Sequence, residues 1–241
     1  MPDQIFANPR LAELYDDLES DRGDLDHYVA IVDEFQAHTV LDVGCGTGTL
    51  ACLLAAKGLD VTGVDPAKAS LAVAGRKPHA DRVRWILGDA TTLPPLEADL
   101  AVMTGNVAQV FVDDSDWLAN LSGIHDALRT AGRLVFEVRS PADREWEHWT
   151  HDESFLRVNV AGRGGVDTWV ELTKVELPTV SFRYTFRFDD GTELTSDSTL
   201  RFRELDEIGM SLAAVGFAVQ EVRDAPDRPG KEYVIIANAQ E

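Results

Sequence analysis

The chain has 241 residues, of which 44% are hydrophobic and 27% are charged, a composition typical of one folded α/β domain. A formal net charge of −20 argues against the basic surfaces that bind nucleic acids or anionic membranes. No apolar run is long enough to span a membrane, and the start lacks the features of a secretory signal, so we expect a cytoplasmic protein.

Residues 1–38 are predicted to form a helical cap. Apolar side chains recur at helical spacing after Pro9 and again after the polar stretch 20–26. From 39 to 140, short apolar strands then alternate with helices. The predicted strands are 39–43, 61–64, 83–87, 99–103 and 133–138, and the predicted helices follow Gly48 and cover about 67–76 and 115–129. This alternation predicts a Rossmann-like, doubly wound and mostly parallel sheet, with ligands at the carboxyl ends of its strands.

The alternation stops after Pro141. Strand-like runs at about 166–177, 180–189 and 192–203 have no helix between them that is long enough for a parallel crossover. We therefore expect 141–203 to be an antiparallel lid inserted after strand 5. A helix at about 204–215 and strands from Phe217 and over 233–237 return to the core, which makes a seven-stranded sheet in a single domain 1–241, with core segments 39–140 and 204–241.

A glycine loop joins the first strand to its helix. Its backbone N–H groups can approach a polar ligand at the positive end of the helix dipole. Asp65 ends the next strand, where a carboxylate can accept both hydroxyls of a ribose, and this favours an adenosine-type ligand. The sixth position of the loop is Thr49 instead of the glycine of a dinucleotide fingerprint, so the loop departs from those of dehydrogenases. A lysine-bearing phosphate loop is absent, so no motif supports hydrolysis of ATP or GTP.

Four motifs occur in order at the ends or starts of predicted strands. They are 41–48 (LDVGCGTG), 63–66 (GVDP), 88–90 (GDA) and 128–134 (LRTAGRL). In these motifs the chain resembles the class I methyltransferases that use S-adenosylmethionine. Its N-terminal helices and insertion are similar to those of small-molecule N- and O-methyltransferases. The resemblance implies S-adenosylmethionine as cofactor and methyl transfer to a nitrogen or oxygen of a small metabolite.

The resemblance also implies a set of residues around the cofactor. They are Tyr15, Arg22, Asp42, Gly44, Cys45, Gly46, Gly48, Asp65, Pro66, Asp89, Ala90, Met103 and Thr104. By this resemblance Asp42 is expected near the methionine ammonium, Asp65 at the ribose and Asp89 at the adenine amino group. Tyr15 and Arg22 would lie over the cofactor and at its carboxylate, although a core tyrosine and a solvated arginine are equally good interpretations.

Catalytic residues are not marked by any motif. Transfer from a sulfonium mainly needs an acceptor held in line, and a general base is needed only for a hydroxyl or a protonated amine. The weak candidates are Asn106, His148 and Tyr15, and Gln109 is a possible acceptor-orienting amide. His148 and His151 share the spacing of one helix face, but without a third ligand we predict no metal site.

The insertion has an alternating run in which aromatic residues face one way and Arg183 and Arg187 the other. We expect the aromatic face to be core. The arginine face either binds an anionic acceptor or a second subunit, or pairs with nearby carboxylates, which is the simpler interpretation. The partners predicted for the chain are a small-molecule acceptor, no nucleic acid and no membrane, and we expect a monomer or homodimer. The alternatives are a non-catalytic S-adenosylmethionine-binding protein and a dinucleotide-dependent oxidoreductase.

Overall fold

The computed structural model describes residues 1–160 and 164–240. Over these residues, eleven strands form two sheets. The strands are β1 (Thr39–Val43), β2 (Asp60–Asp65), β3 (Val83–Leu87), β4 (Ala98–Met103), β5 (Leu128–Arg139), β6 (Leu156–Val160), β7 (Gly164–Glu176), β8 (Thr179–Phe188), β9 (Glu193–Arg201), β10 (Phe217–Asp224) and β11 (Glu232–Ala239). Residues 161–163 and 241, within the predicted insertion and the returning core, lie outside the described residues.

Helices cover both the N-terminal segment and the larger sheet. They are α1 (Gln4–Ala7), α2 (Pro9–Ala12), α3 (Tyr15–Leu18), α4 (Leu25–Glu34), α5 (Thr49–Ala56), α6 (Lys68–Ala74), α7 (Asp114–Ala127), α8 (His151–Ser154) and α9 (Leu205–Ala214). Short 3₁₀ turns cover Ala80–Arg82, Ala90–Thr92, Val107–Val110 and Glu145–His148. Within the described part of the chain, no helix is long and apolar enough to cross a membrane.

The larger sheet has the strand order β10-β11-β5-β4-β1-β2-β3. The pairings β1–β2, β1–β4, β2–β3 and β4–β5 are parallel, whereas β11 runs antiparallel to both β5 and β10. This arrangement confirms the predicted Rossmann-like, mostly parallel sheet of seven strands. Strand β1 has β2 as its neighbour on one side and β4 on the other, so the strand order reverses at β1. Ligands of such sheets bind in the crevice at the carboxyl ends of the strands where this reversal occurs.

Successive side chains of the central strands pack on opposite faces of the sheet. Leu134 and Phe136 of β5 join one apolar cluster with Trp117, whereas Val135 joins a second cluster with Leu54. This alternation is the two-residue period of a strand, applied to a sheet covered by helices on both sides. The two cores fix the strand ends from which the site is built.

The smaller sheet is antiparallel and has the order β6-β7-β8-β9. The aromatic face of β8 is buried, as predicted. On its other face, Arg183 binds the carboxylate of Asp197 with Nε and Nη2 at 2.7 and 2.9 Å, and Arg187 binds Glu193. The prediction that these arginines pair with nearby carboxylates is confirmed. Strand β6 was not predicted, because its side chains are mostly exposed and lack a clear apolar alternation.

The N-terminal helices pack against this smaller sheet. Ile5 and Leu14 share an apolar cluster with Val166 and Phe186. The cap begins at Gln4, before the predicted start near Pro9, and Asn8 accepts the N–H of Arg10 at 2.9 Å as the cap of α2. The N-terminus and the insertion therefore come together although more than half of the chain separates them.

Candidate active site

The glycine loop between β1 and α5 bends back onto the end of β2. Gly44, Gly46 and Gly48 all have positive φ, between 53° and 75°. The N–H of Gly44 donates to the Val64 carbonyl at 2.8 Å, and the N–H of Gly46 donates to Asp65 Oδ2 at 2.9 Å. The loop thereby lies against the two strand ends that carry the predicted carboxylates.

A cavity of about 370 Å³ lies against this loop at the carboxyl ends of the strands. Ten of the thirteen residues predicted around the cofactor line it. They are Tyr15, Arg22, Asp42, Gly44, Cys45, Gly46, Asp65, Pro66, Asp89 and Thr104. Seven of these ten residues lie in the sequence motifs, which therefore located much of the cavity lining.

The other three predicted residues do not line the cavity. Met103 is fully buried in the apolar core of the sheet. The N–H of Ala90 donates to Asn120 Oδ1 at 3.1 Å, so this backbone group is already paired. Gly48 lies against Trp85, where an added Cβ would collide with the indole ring. These three residues support the loop and strand ends from behind.

Asp42 is a buried carboxylate on the cavity wall. Its Oδ1 atom has no hydrogen-bond partner among the described residues. Burial, reinforced by the neighbouring charge of Asp65, raises the pKa of Asp42 to about 7, and Arg22 acts in the opposite direction. An unpaired carboxylate oxygen in such a position is suited to bind a cationic group.

Asp65 is held in one orientation by backbone donors. Its two oxygens accept the N–H of Gly46 at 2.9 Å and the N–H of Ala67 at 2.7 Å. Burial raises the pKa of Asp65, and the two N–H donors partly oppose that effect. Each carboxylate oxygen retains a further acceptor lone pair, so the group can still receive two hydroxyls of a bound diol.

Tyr15 and Arg22 both reach the cavity from the N-terminal cap. The Tyr15 ring packs against Phe6 with centroids 5.5 Å apart, and burial raises the pKa of its hydroxyl. Arg22 binds both oxygens of Asp24, at 3.0 and 3.1 Å. The cap therefore contributes an aromatic wall and a guanidinium whose charge is already shared with one carboxylate.

The structure does not bring the other proposed catalytic residues to the cavity wall. Asn106 is buried beside it and donates from Nδ2 to Glu232 at 3.2 Å. His148 is exposed at the end of a 3₁₀ turn, and its ring lies 2.9 Å from the carboxylate of Glu153. Gln109 accepts the N–H of Arg139 at 3.2 Å. In the part of the chain that is described, no group of three or more His, Cys, Asp or Glu side chains could hold a metal ion.

A buried carboxylate that sequence reasoning missed holds the loop after β4. Glu137 accepts the N–H groups of Gly105 and Asn106 at 2.6 and 3.0 Å with one oxygen, and the hydroxyl of Tyr28 with the other. Gly105 and Asn106 both have positive φ, at 70° and 61°. Because Gly105 lines the cavity, Glu137 fixes part of its wall from behind.

Sequence reasoning also missed several residues that line the cavity outside the motifs. They come from the N-terminus, from the segment after β4 and from β9, and they include Asp3, Phe6, Phe111 and Thr199. Most of these residues are far from the motifs in sequence and follow no local pattern. The aromatic side chains near the N-terminus were the one sequence feature that could have indicated a contribution of this segment to the cavity.

Residues 40–132 match the sequence profile of a methyltransferase domain. A protein of Geobacillus sp. (strain WCH70) named as a methyltransferase is 28% identical over 214 residues, which cover 83% of this chain and 84% of that protein. The sugar N-methyltransferase KedS8 from Streptoalloteichus sp. superposes with a TM-score of 0.80 at 18% identity, over 95% of this chain and 92% of that one.

The amino pentose methyltransferase CalS10 from Micromonospora echinaspora, solved with S-adenosylmethionine bound, superposes with a TM-score of 0.71 at 20% identity, over 95% of each chain. These two structures share the fold. The domain match covers residues 40–132, and ten of the residues predicted around a cofactor line one cavity. Residues 40–132 are thus similar to a methyltransferase domain, and the chain as a whole has the fold of these two methyltransferases.

Proposed function

We propose that the chain transfers a methyl group from S-adenosylmethionine to the nitrogen of a small molecule. The observation that carries the proposal is the single cavity. Residues of the cofactor motifs line it together with Phe6, Phe111 and Thr199. A concave cavity of about 370 Å³ suits a small acceptor better than a polymer.

The cavity residues fit the cofactor. Asp42 has an unpaired oxygen for the methionine ammonium, and Asp65 presents an oriented carboxylate for the ribose. A Cβ added at Gly46 would have no atom within 4 Å, so space is open beside the loop. When bound, the cofactor supplies a methyl group on a sulfonium, which is an excellent leaving group.

The chain itself then has to hold the acceptor and exclude water. Tyr15, Phe6 and Phe111 supply rings to the cavity, and the turn at Thr104 and Gly105 is fixed by Glu137. Rigid positioning of this kind contributes about 7–11 kcal/mol to lowering the barrier of a two-substrate reaction. A dedicated nucleophile of the enzyme is not required.

Nitrogen is favoured over oxygen for two reasons. Asp3 lines the cavity outside the cofactor motifs, and its carboxylate suits an amine. The names of two structural neighbours, an amino pentose methyltransferase and a sugar N-methyltransferase, agree with that preference. A cytoplasmic location, a monomeric or homodimeric state and a single domain over 1–241 remain predictions from the sequence.

The proposal is tested by incubating the protein with methyl-tritiated S-adenosylmethionine and a metabolite extract. We expect label in small molecules that partition as amines, with the Asp42→Asn variant as the inactive control. Label in ethers or in carbon-methylated products would contradict nitrogen as the acceptor. Binding of the cofactor without any transfer would favour the non-catalytic binder, and greater thermal stabilisation by NAD than by S-adenosylhomocysteine would favour an oxidoreductase.

Two glycines of the loop are expected to respond differently to substitution by alanine. Gly48→Ala places a methyl group against the Trp85 ring and 2.8 Å from the Ala74 Cβ, so we expect a loss of about 2 kcal/mol in the free energy of unfolding. Gly46→Ala meets no protein atom within 4 Å and should cost about 1 kcal/mol for its left-handed backbone. Its methyl group borders the cavity, so the affinity for S-adenosylhomocysteine should fall about tenfold or more.

Urea unfolding and calorimetric titration of both variants measure these two effects. The two variants serve as controls for each other, because both change a glycine of positive φ in the same loop. Equal losses of stability, or unchanged cofactor affinity in Gly46→Ala, would contradict the assignment of Gly46 to the cofactor wall.

A further inference from the structure

We propose that the carboxylate of Asp3 binds the amine of the methyl acceptor and makes the enzyme select an amine over an alcohol. This inference rests on the proposed function and names the residue that recognises the acceptor. Three observations support it: the charged residues of the cavity, the missing hydrogen bond between the Asp3 carboxylate and the helix that Asp3 precedes, and the rings of Phe6 and Tyr15 in the same cavity.

One charged residue of the cavity wall is left over when the cofactor is accounted for. The charged residues that line the cavity are Asp3, Arg22, Asp42, Asp65 and Asp89. The last three match the cofactor motifs, and Arg22 is the proposed partner of the cofactor carboxylate. Asp3 comes from outside the motifs and has no such role.

The carboxylate of Asp3 is turned away from the helix that it precedes. An aspartate at an N-cap normally accepts a backbone N–H of the first helical turn. Asp3 is the N-cap of α1 but makes no such bond. Ser196 on β9 performs that function instead, because its hydroxyl oxygen accepts the N–H of Ile5 at 2.9 Å.

Asp3 is oriented by β9. Ser198 donates its hydroxyl to Asp3 Oδ2 at 2.6 Å, and no hydrogen bond to Oδ1 is present among the described residues. Burial raises the pKa of Asp3, and the Asp197 charge adds to this effect, whereas the Ser198 hydroxyl and the Met1 amino group oppose it. The Asp197 charge is itself neutralised by Arg183. One carboxylate oxygen therefore remains available at a partly desolvated position.

The neighbouring wall suits the carbon skeleton and the charge of an amine. Phe6, three residues after Asp3, and Tyr15 both line the cavity, with ring centroids 5.5 Å apart. Aromatic faces attract ammonium groups and pack well against alkyl carbons. A carboxylate and two rings that line the same cavity can together recognise an alkylammonium, whereas an alcohol gains nothing from the charge.

The test uses two probes of the same shape, cyclohexylamine and cyclohexanol, at pH 7.5 and low ionic strength. Their binding to the full chain saturated with S-adenosylhomocysteine is measured by ligand-observed NMR at millimolar concentrations. We expect the wild type to prefer cyclohexylamine about tenfold, and Asp3→Asn to lose most of that preference. Asp17→Asn is the matched control, because it removes an exposed carboxylate of the same N-terminal segment outside the cavity.

Each outcome decides the inference. Retention of the amine preference in Asp3→Asn, its equal loss in Asp17→Asn, or the absence of amine binding to the wild type would overturn it. Binding of S-adenosylhomocysteine is recorded in every sample. If no variant binds this compound, the proposed function itself fails, whereas cofactor binding with an unchanged amine preference refutes only the role of Asp3.

Discussion

Asparagine in place of Asp42 is expected to stabilise the protein without cofactor and at the same time to weaken cofactor binding. The pKa of Asp42 is raised from its ordinary value of 3.8 to about 7 by burial and by Asp65. The folded state therefore disfavours the carboxylate, and above pH 7 the charge costs stability. We expect Asp42→Asn to gain about 1–3 kcal/mol in the free energy of unfolding at pH 8.

The same substitution removes the charge that faces the methionine ammonium. Charge-assisted hydrogen bonds contribute about 1.5–3 kcal/mol, so the affinity for S-adenosylhomocysteine should fall by roughly ten- to a hundredfold at pH 8. Urea unfolding and calorimetric titration measure the two effects. Asp81→Asn, at an exposed carboxylate outside the cavity, should change neither.

The pH dependence of the wild type provides an independent check. As pH falls below about 7, Asp42 takes up a proton, so its attraction for an ammonium is lost, while its contribution to instability declines and is gone near its ordinary pKa of 3.8. Cofactor affinity should therefore fall about tenfold for each pH unit below 7, and it should be much flatter in Asp42→Asn. If Asp42→Asn were less stable than the wild type and bound S-adenosylhomocysteine equally well, the proposed role of Asp42 at the methionine ammonium would be contradicted.

Replacing Glu137 with leucine is expected to cost about 3–5 kcal/mol in the free energy of unfolding. The carboxylate accepts three buried or partly buried donors, namely the N–H groups of Gly105 and Asn106 and the hydroxyl of Tyr28. Leucine can accept none of them. Burial and the adjacent carboxylate raise the pKa of Tyr28, so its hydroxyl stays protonated and remains a donor.

A graded series distinguishes the loss of this network from general disruption of the core. Tyr28→Phe removes one of the three donors and should cost about 1–2 kcal/mol, measured by urea unfolding. Glu147→Leu, at an exposed carboxylate paired with Arg144, should change stability by less than about 0.5 kcal/mol. Comparable losses in Glu147→Leu and Glu137→Leu would show that Glu137 has no special role.

The sequence predicted the core of the fold well because the signals there are local. The run 39–43 is apolar, the following loop has three glycines of positive φ, and Asp65 ends the next strand. Each of these features is set by a few adjacent residues and by the two-residue or 3.6-residue period of the chain. The motifs that carry the family resemblance hold seven residues of the cavity lining.

The rest of the cavity lining depends on contacts between distant parts of the chain. Asp3 and Ser198 are 195 residues apart in sequence, and Glu137 reads as an ordinary strand residue until Tyr28 is placed beside it. Asn106 was predicted to face the acceptor, but its amide is directed to Glu232 instead. Periodicity shows that a residue is buried, whereas only the tertiary structure shows which buried group it meets.

The two serine bonds that join β9 to the N-terminus have a consequence for engineering. Ser196 caps the first helix and Ser198 orients Asp3, so the proposed specificity would depend on two segments whose bonded residues are 191 and 195 positions apart in sequence. A chimera that exchanges 193–201 with a relative but keeps its own residues 1–7 would mismatch both bonds. Recombination designed to change the acceptor should transplant these two segments together.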